Sequence, residues 1–383
     1  MMNRKFVNMI VNDYQSRVYS VRRISLKQHL FHPSTEDAQK AAATAQAAGA
    51  SKKGWRSRIS SFKHLPKPNI KFSMPAKGAE LTTMHFFSLL KGQGEGSVMF
   101  VGPFYSTVMY DLDLESVFPM PQAYFCKPSG SISLSMTRRS SGQDEQQLYI
   151  MGNGDEEDGR FEVLNYSRTG FPENLCVDME QWWNWKPLPS PPIPPPDTGI
   201  DRKACPPSSA AVVDDTTICV SSVDAGAFAF DTVKTEWRRA GSWALPFHGG
   251  AEHVPELGLW FGLAAIDSPD HSLRAFDLSS SSWPPVVQQD WSYLDPLPDE
   301  WVLRQRHLVN LGSGKFCIAT SFENVESHAA AYSSAHGLDD YLVINDLTVL
   351  TGVELLRGDD GLQMIKHKSK RYTSQDTPFH CLL

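Results

Sequence analysis

The sequence lacks the features that mark several common protein classes. Its 383 residues include only six cysteines, which are scattered and form no Cys-x-x-Cys pair, so neither a zinc module nor a small disulfide-rich fold is expected. No apolar run reaches the roughly 18 residues of a membrane helix, and residues 1–11 show no small-residue cleavage site. We therefore expect an intracellular protein, cytoplasmic or nuclear, with reduced thiols and no membrane partner.

Catalytic and cofactor motifs are missing as well. Neither the Gly-x-Ser-x-Gly turn of a serine nucleophile nor the Gly-x-x-x-x-Gly-Lys-Ser/Thr phosphate loop occurs. His248 and His253, with Glu252 and Glu256, offer metal-binding side chains, but their spacing matches no helical ligand motif, and an ordinary loop is the better interpretation. We predict no metal and no cofactor, and the sequence identifies no reaction.

The charge balance limits the range of partners. The chain carries 36 Lys and Arg against 43 Asp and Glu, a formal net charge of −7, which disfavours broad binding to a phosphate backbone. A nucleic acid is therefore not the expected partner, although the basic stretch 52–71 leaves that alternative open. The 41% apolar content fits a globular chain with a large core.

The most informative pattern that is present is a repeat. Two apolar residues precede an Asp, and a Trp follows six residues later, at Asp231 with Trp237 and again at Asp277 with Trp283. Weaker copies centre on four more positions, which makes six in all: Ser25, Asp111, Asn165 and Asp346. An Asp that ends a strand can accept backbone hydrogen bonds in the next turn, and a repeated Trp can pack between sheets, so we predict structural roles for these residues.

A predicted β-hairpin precedes the clearest copies. Short β-rich runs flank polar or Gly-containing turns within residues 210–220, 251–263 and 307–319. A hairpin followed by the Asp strand and the Trp strand makes four antiparallel strands, which is one propeller blade. Counting the copies, we predict an all-β, six-bladed β-propeller of four-stranded antiparallel blades.

Closure of the predicted ring requires both chain ends. The first 31 residues offer three strands, the last being Gln28 to Phe31, and Leu362 to Lys366 could supply the fourth. We therefore expect N- and C-terminal strands to share one blade, because closure removes two exposed sheet edges. A monomer is expected.

Two segments interrupt this single predicted domain of residues 1–383. Residues 34–78 form an Ala-, Lys- and Ser-rich stretch, predicted to be a flexible insertion in which a short helix follows Ser34 to Asp37. Residues 186–207 are Pro-rich and are predicted to be a stiff inter-blade loop, with a polyproline ligand as the alternative.

The repeats resemble known propeller families. The hairpin, the apolar-apolar-Asp strand and the later Trp are similar to kelch repeats and to those of F-box-associated propellers. More closely, Asn3 to Asn8, Val18 to Ile24, Phe230 to Thr232 with Glu236 and Trp237, and Val254 to Gly262 resemble a large family of uncharacterised grass proteins, a domain of unknown function with kelch-like character. The resemblance implies a propeller.

Fold and resemblance together favour a non-catalytic module for protein–protein interaction, an adaptor or recognition unit for a protein or peptide. The candidate binding residues flank predicted strands and are His248, His253, Trp301, Arg304 and Arg306. The alternative is a propeller enzyme that acts on a small molecule or sugar at the central channel. That alternative requires ionisable residues from several repeats to converge.

Overall fold

A computed structural model describes most of the chain. The described residues are 4–48, 59–73, 84–89, 96–102, 105–125, 131–140, 143–152, 161–166, 183–193, 207–265, 271–279, 283–295, 301–327, 341–358, 361–374 and 376–383. Two helices lie near the start, α1 (Leu26–His29) and α2 (Thr35–Ala48). Among the described residues, no helix is long and apolar enough to cross a membrane.

The other elements are strands. In chain order they are β1 (Phe6–Asp13), β2 (Val18–Ser25), β3 (Ser60–Ser61), β4 (Ile70–Ser73), β5 (His85–Leu89), β6 (Ser97–Val101), β7 (Thr107–Asp111), β8 (Ser116–Met120), β9 (Ile132–Ser140), β10 (Gln143–Met151), β11 (Phe161–Tyr166), β12 (Trp183–Leu188), β13 (Ser209–Asp214), β14 (Thr217–Ser222), β15 (Gly226–Asp231), β16 (Glu236–Gly241), β17 (His248–Val254), β18 (Leu259–Leu263), β19 (Ser272–Phe276), β20 (Val287–Ser292), β21 (Trp301–Gly312), β22 (Lys315–Ser327), β23 (Tyr341–Gly358), β24 (Gly361–Ser374) and β25 (Phe379–Leu382).

The strands form an all-β propeller fold, but the prediction of six blades is wrong. The described strands make five sheets, of which four have the size of a single blade: β25-β1-β2-β4, β5-β6-β7-β8, β12-β11-β10-β9 and β21-β22-β23-β24-β3. The fifth is one continuous sheet of eight strands, β16-β15-β14-β13-β17-β18-β19-β20. The sequence pattern predicted two separate blades for these eight strands. Parallel pairing of Ser209 with Gly249 and Ala210 with Gly250 joins the halves.

Strands from both chain ends do share a sheet, but two of the predicted strands are misassigned. The C-terminal contribution is β25, which pairs antiparallel with β1, whereas Leu362 to Lys366 lie in β24 of a different sheet. Gln28 to Phe31 form no strand, because α1 occupies this stretch and Leu30 donates its backbone N–H to the carbonyl of Leu26. The outermost strand of the terminal sheet is instead β4, from the predicted insertion.

The contacts group the chain into two compact units. Unit 1 comprises Met1–Pro75, Ile266–Leu273 and Trp291–Leu383, and unit 2 comprises Ala76–Ala265 and Arg274–Asp290. In unit 2, successive sheets pack through buried aliphatic and aromatic side chains. Phe161 of β11, for example, packs edge-on against Phe230 of β15 at 5.1 Å between ring centroids, and both side chains are buried.

The core of unit 1 lies between its two sheets. Val7 and Met9 of β1 pack in one buried cluster with Leu311 of β21 and Leu350 of β23. The segment that follows β2 fills the same core. A side chain at Gly352 would meet the backbone oxygen of Leu30 at 2.5 Å, so only glycine permits this close approach.

The two interrupting segments contain ordered contacts wherever they are described. In the first, α2 follows Ser34, whose hydroxyl oxygen accepts the N–H of Asp37, and residues 59–73 supply β3 and β4. In the Pro-rich segment, the carbonyl of Pro189 accepts the indole N–H of Trp237 at 2.7 Å, and Ile193 packs against the unit 2 core. Residues 49–58, 74–78 and 194–206 of these segments lie outside the described part.

Candidate functional site

Two of the predicted binding residues, His248 and His253, lie on β17 in unit 2. A bulge lies between His248 and Glu252, and the partners of the two histidines on β18, Leu263 and Trp260, are three positions apart. The histidines are therefore about 10 Å apart along the sheet and on opposite faces, so they do not form one site. His253 stacks on Trp260 with ring centroids 4.2 Å apart. Partial burial lowers the pKa of His253, and the charge of Glu256 only partly offsets this effect.

The other three predicted residues lie on β21 in unit 1, and their environments differ. Trp301 is buried. Burial raises the pKa of Tyr293, and the positive charge of Arg306 opposes this rise. The Tyr293 hydroxyl lies 3.1 Å from the Oγ1 of Thr320. Arg304 is the most exposed of the three, since its side chain keeps 59% of its accessible surface. Of these, Arg304 is the residue that a partner could reach most readily.

Arg304 belongs to a mixed-charge cluster at one end of its sheet. Its Nε lies 2.6 Å from Oε1 of Glu323 on β22. Glu323 pairs in register with Asp346 on β23 and with Val302 on β21, so these side chains lie beside one another on one face of the sheet. The cluster therefore holds one cation and two carboxylates.

A tyrosine from the other sheet of unit 1 approaches this cluster. Tyr14 lies in the turn between β1 and β2, where Oδ1 of Asp13 accepts the N–H groups of Gln15 and Ser16 and so fixes the turn. The Gln15 amide group also donates to Asp376 at 2.9 Å. Burial and the charges of Asp346 and Glu323 raise the pKa of Tyr14, which places the phenol within their electrostatic reach.

We name Tyr14, Val302, Arg304, Glu323 and Asp346 the Tyr14 surface. Two of its members expose apolar area, since Tyr14 is 67% and Val302 46% accessible. Among the described residues, no hydrogen-bond or ion-pair donor contacts the Asp346 carboxylate. Burial and then the charge of Glu323 raise its pKa, while Arg304 opposes this shift. The surface thus combines an aromatic ring with a carboxylate whose charge is poorly compensated.

A second polar cluster on the same sheet consists of Glu354, Lys315, His367 and Thr35, and we name it the Glu354 cluster. Both carboxylate oxygens of Glu354 have partners. Glu354 on β23 is only 5% exposed; its Oε1 accepts Lys315 Nζ at 3.0 Å, and its Oε2 lies 3.0 Å from His367 Nε2 and 2.9 Å from Thr35 Oγ1. The His32 amide donates to Nδ1 of His367 at 3.2 Å. Because that nitrogen must accept, the neutral ring carries its proton on Nε2 and donates it to Glu354.

The pKa shifts in the Glu354 cluster match this arrangement. Burial alone would raise the pKa of Glu354, but hydrogen bonds from Lys315, His367 and Thr35 outweigh it, so the pKa is lowered. Burial lowers the pKa of His367 despite the nearby carboxylate. Every member therefore has a partner, and the cluster ties the segment that begins α2 to the sheet.

The repeat residues occupy three kinds of position. Asp111, Asp231 and Asp277 follow or end strands, and each Oδ1 accepts N–H groups of the next turn, at 2.8–2.9 Å. Trp237 packs on Phe230, and Trp283 lies edge-on to Trp243. The remaining two members lie inside strands: Asn165, which links the amides of Gln147 and Asn184, and Asp346.

Sequence reasoning missed Tyr14 and Glu323. An exposed aromatic in the turn Asp13 to Arg17 is the one signal that could have drawn attention to Tyr14, because turns of this kind are otherwise polar. No local signal marks Glu323, since its neighbours come from two other strands. Among the described residues, no group of three or more His, Cys, Asp or Glu side chains could hold a metal ion.

The chemistry of the Tyr14 surface suits a cation. Once Arg304 is paired with Glu323, the carboxylate of Asp346 leaves a net negative charge beside the ring of Tyr14. An ammonium or guanidinium group is attracted both by a carboxylate and by the face of an aromatic ring. The arrangement can therefore accept a basic side chain.

Solved structures similar to this chain include three with low structural similarity. One is an auxiliary nutrient binding protein from Bacteroides thetaiotaomicron (11% identity, TM-score 0.37, covering 75% of this chain and 61% of that one). The others are the β-propeller domain of Cps50 (Swd1) from Myceliophteria thermophila (8%, 0.31, covering 67% and 76%) and an oligogalacturonate lyase in complex with manganese (10%, 0.32, covering 74% and 76%). At these TM-scores none supports an inference about function.

Sequence comparison is more decisive about family. No curated protein matches the chain. A family model described as a protein of unknown function, DUF1668, matches residues 4–372, which is nearly the whole chain. The chain therefore belongs to the DUF1668 family.

Proposed function

We propose that this protein is a non-catalytic recognition module that binds a segment of a partner protein through the Tyr14 surface, with a basic side chain of the partner held by Asp346. The observation that carries the proposal is an exposed tyrosine within electrostatic reach of a half-buried aspartate that has no donor among the described residues. Such a carboxylate is costly to keep ionised, and a partner's cation would offset that cost.

Each member of the surface has a part in the proposed contact. Arg304 occupies Glu323 and so prevents both carboxylates from facing the partner unpaired. The Tyr14 ring can lie against the basic side chain, which is worth about 0.5–1 kcal/mol at an exposed site. Val302 supplies exposed apolar area beside the charges, and protein interfaces combine an apolar core with a polar rim.

Several finer points stay predictions. They are the kelch-like character of the repeats, a plant origin, a cytoplasmic or nuclear location and a monomeric state. The family and the fold support the broader statement alone, that this is a propeller with a domain of unknown function.

Selection of peptides from a random display library tests the proposal. The full chain and an Asp346→Asn variant would be screened in parallel, with Asp215→Asn as the matched control, because Asp215 is an exposed aspartate in unit 2. We expect peptides enriched in Lys or Arg from the wild type and the control, and loss of that enrichment with Asp346→Asn. Equal enrichment by all three proteins, or peptides without basic residues, would contradict the proposal.

A further inference from the structure

A second surface of unit 1 has the opposite charge. Residues 1–75 contain 14 Lys and Arg but only three Asp and Glu, although the whole chain carries a net charge of −7. Within this region, residues 59–73 contain no acidic residue at all. We name residues 59–73 the basic segment. Its charge is concentrated enough to attract a negatively charged partner.

The basic segment is held firmly to unit 1. At its start, β3 pairs parallel with β24, and the N–H of Phe62 donates to the carbonyl of Arg371 at 2.9 Å. Phe62 and Leu65 pack against the unit 1 core. At its end, β4 pairs with β2, and the Arg22 guanidinium donates to the carbonyl of Pro66 at 2.6 Å. The backbone is therefore fixed before any partner binds.

The lysines of the segment face solvent. Lys63, Lys67 and Lys71 recur every fourth residue, and all three are exposed. Lys370 and Arg371 of β24 lie opposite Ser60 and Ser61 and extend the positive charge at one end. One acidic residue lies near the other end, since hydrogen bonds from Ser16 and, more weakly, the charge of Lys71 lower the pKa of Asp13. The surface remains strongly positive.

The segment also presents a sheet edge. β4 is the last strand in the order β25-β1-β2-β4, so one of its edges faces away from the sheet. An extended peptide can add to such an edge by main-chain hydrogen bonds. Acidic side chains on that peptide would meet Lys67 and Lys71. Backbone geometry and charge thus favour the same ligand.

We infer that the basic segment binds an acidic segment of a partner protein in extended form. A nucleic acid fits less well, because the net charge of −7 opposes a long polyanion and the aromatic rings of the segment are turned inward: Phe62 is partly buried and Phe72 is buried. This inference is independent of the proposed function, since its partner carries the opposite charge and contacts different residues. Either can fail without the other.

Fluorescence anisotropy tests the inference with a labelled peptide of alternating Glu and Ser residues and the full chain. The informative variant reverses three charges, Lys63→Glu, Lys67→Glu and Lys71→Glu. The matched control reverses three exposed lysines elsewhere, Lys40→Glu, Lys186→Glu and Lys234→Glu. Because charge reversal replaces three attractions to the peptide's Glu residues with repulsions, we expect the first variant to weaken binding about tenfold or more and the control to weaken it far less.

Three results would overturn the inference. They are no binding by the wild type at low salt, equal weakening by both triple variants, and tighter binding of a single-stranded DNA of the same length. The last would show that the surface prefers a nucleic acid. Thermal unfolding of both variants checks that they fold, and since all six lysines are exposed we expect melting temperatures near that of the wild type.

Discussion

The strand β23 carries two carboxylates, Asp346 and Glu354, that differ in burial, in hydrogen bonding and in the direction of their pKa shifts. Asp346 and Glu354 are eight residues apart, about 26 Å along an extended strand. Glu354 is buried and contacts Lys315, His367 and Thr35, whereas Asp346 is half-buried and has no donor among the described residues. The same kind of charged group thus stabilises the fold at one end and is available to a partner at the other.

The direction of the pKa shifts expresses this contrast. The pKa of Glu354 is lowered, because its hydrogen bonds outweigh the effect of burial, so its ionised form favours the folded state. The pKa of Asp346 is raised, by burial and by Glu323, so its ionised form opposes folding. A carboxylate whose charge destabilises the folded state is a better candidate for binding than one whose charge stabilises it.

The largest effect is expected from Glu354→Ala. This change leaves Lys315 and His367 without their buried partner, and breaking a buried ion pair costs about 3–5 kcal/mol. Urea unfolding of the full chain measures the loss. Asp346→Ala is the control within the same strand, with an expected change below about 1 kcal/mol. Similar losses for both variants would remove the distinction between the two clusters.

A smaller loss of stability is expected when the pH is lowered from 7 to 5. The neutral ring of His367 accepts the backbone N–H of His32, and burial lowers the pKa of His367. The contribution of His367 to the free energy of unfolding is therefore complete above the unfolded pKa near 6.5. It is lost as pH falls through the folded pKa. The free energy of unfolding should therefore decrease from pH 7 to pH 5. In His367→Gln this decrease should be shallower. An unchanged slope in the variant would show that His367 does not contribute.

The smallest effect on stability, and of opposite sign, is expected from Asp346→Asn. Because the folded pKa of Asp346 is raised, its charge lowers stability at pH 7, and removal of the charge should increase the free energy of unfolding by up to about 1 kcal/mol. Thermal unfolding at pH 7 and again at pH 4 checks this, since the gain should shrink as the wild-type carboxylate becomes protonated. Destabilisation by the variant at pH 7 would indicate a structural role for Asp346.

Local patterns predicted the hairpins of the fold but not how they combine. The runs within 210–220, 251–263 and 307–319 correspond to β13 with β14, β17 with β18, and β21 with β22, because apolar runs and turn residues are encoded locally. The parallel contact between β13 and β17 has no such signal, since it depends on residues about 40 positions apart. The blade count was wrong for that reason.

The candidate site shows the same limit. Arg304 was predicted from its residue type and its position beside a strand. The pattern gave Asp346 a turn role like that of Asp231, but Asp346 lies inside the 18-residue strand β23, where register places it beside Glu323. Tyr14, in a turn of the other sheet of unit 1, comes within electrostatic reach of both carboxylates. Residues brought together by register and sheet packing have no common sequence signal.

Calorimetric titration tests the central claim most directly, that Asp346 and Tyr14 bind a basic side chain. The titrant would be a lysine-containing peptide selected on the wild-type chain, compared with the same peptide carrying norleucine, the uncharged analogue, at that lysine. A charge-assisted hydrogen bond is worth about 1.5–3 kcal/mol, so we predict binding weakened by roughly tenfold or more for the norleucine peptide, and equal affinities of the two peptides for Asp346→Asn. Equal affinities of the two peptides for the wild-type chain would contradict the account.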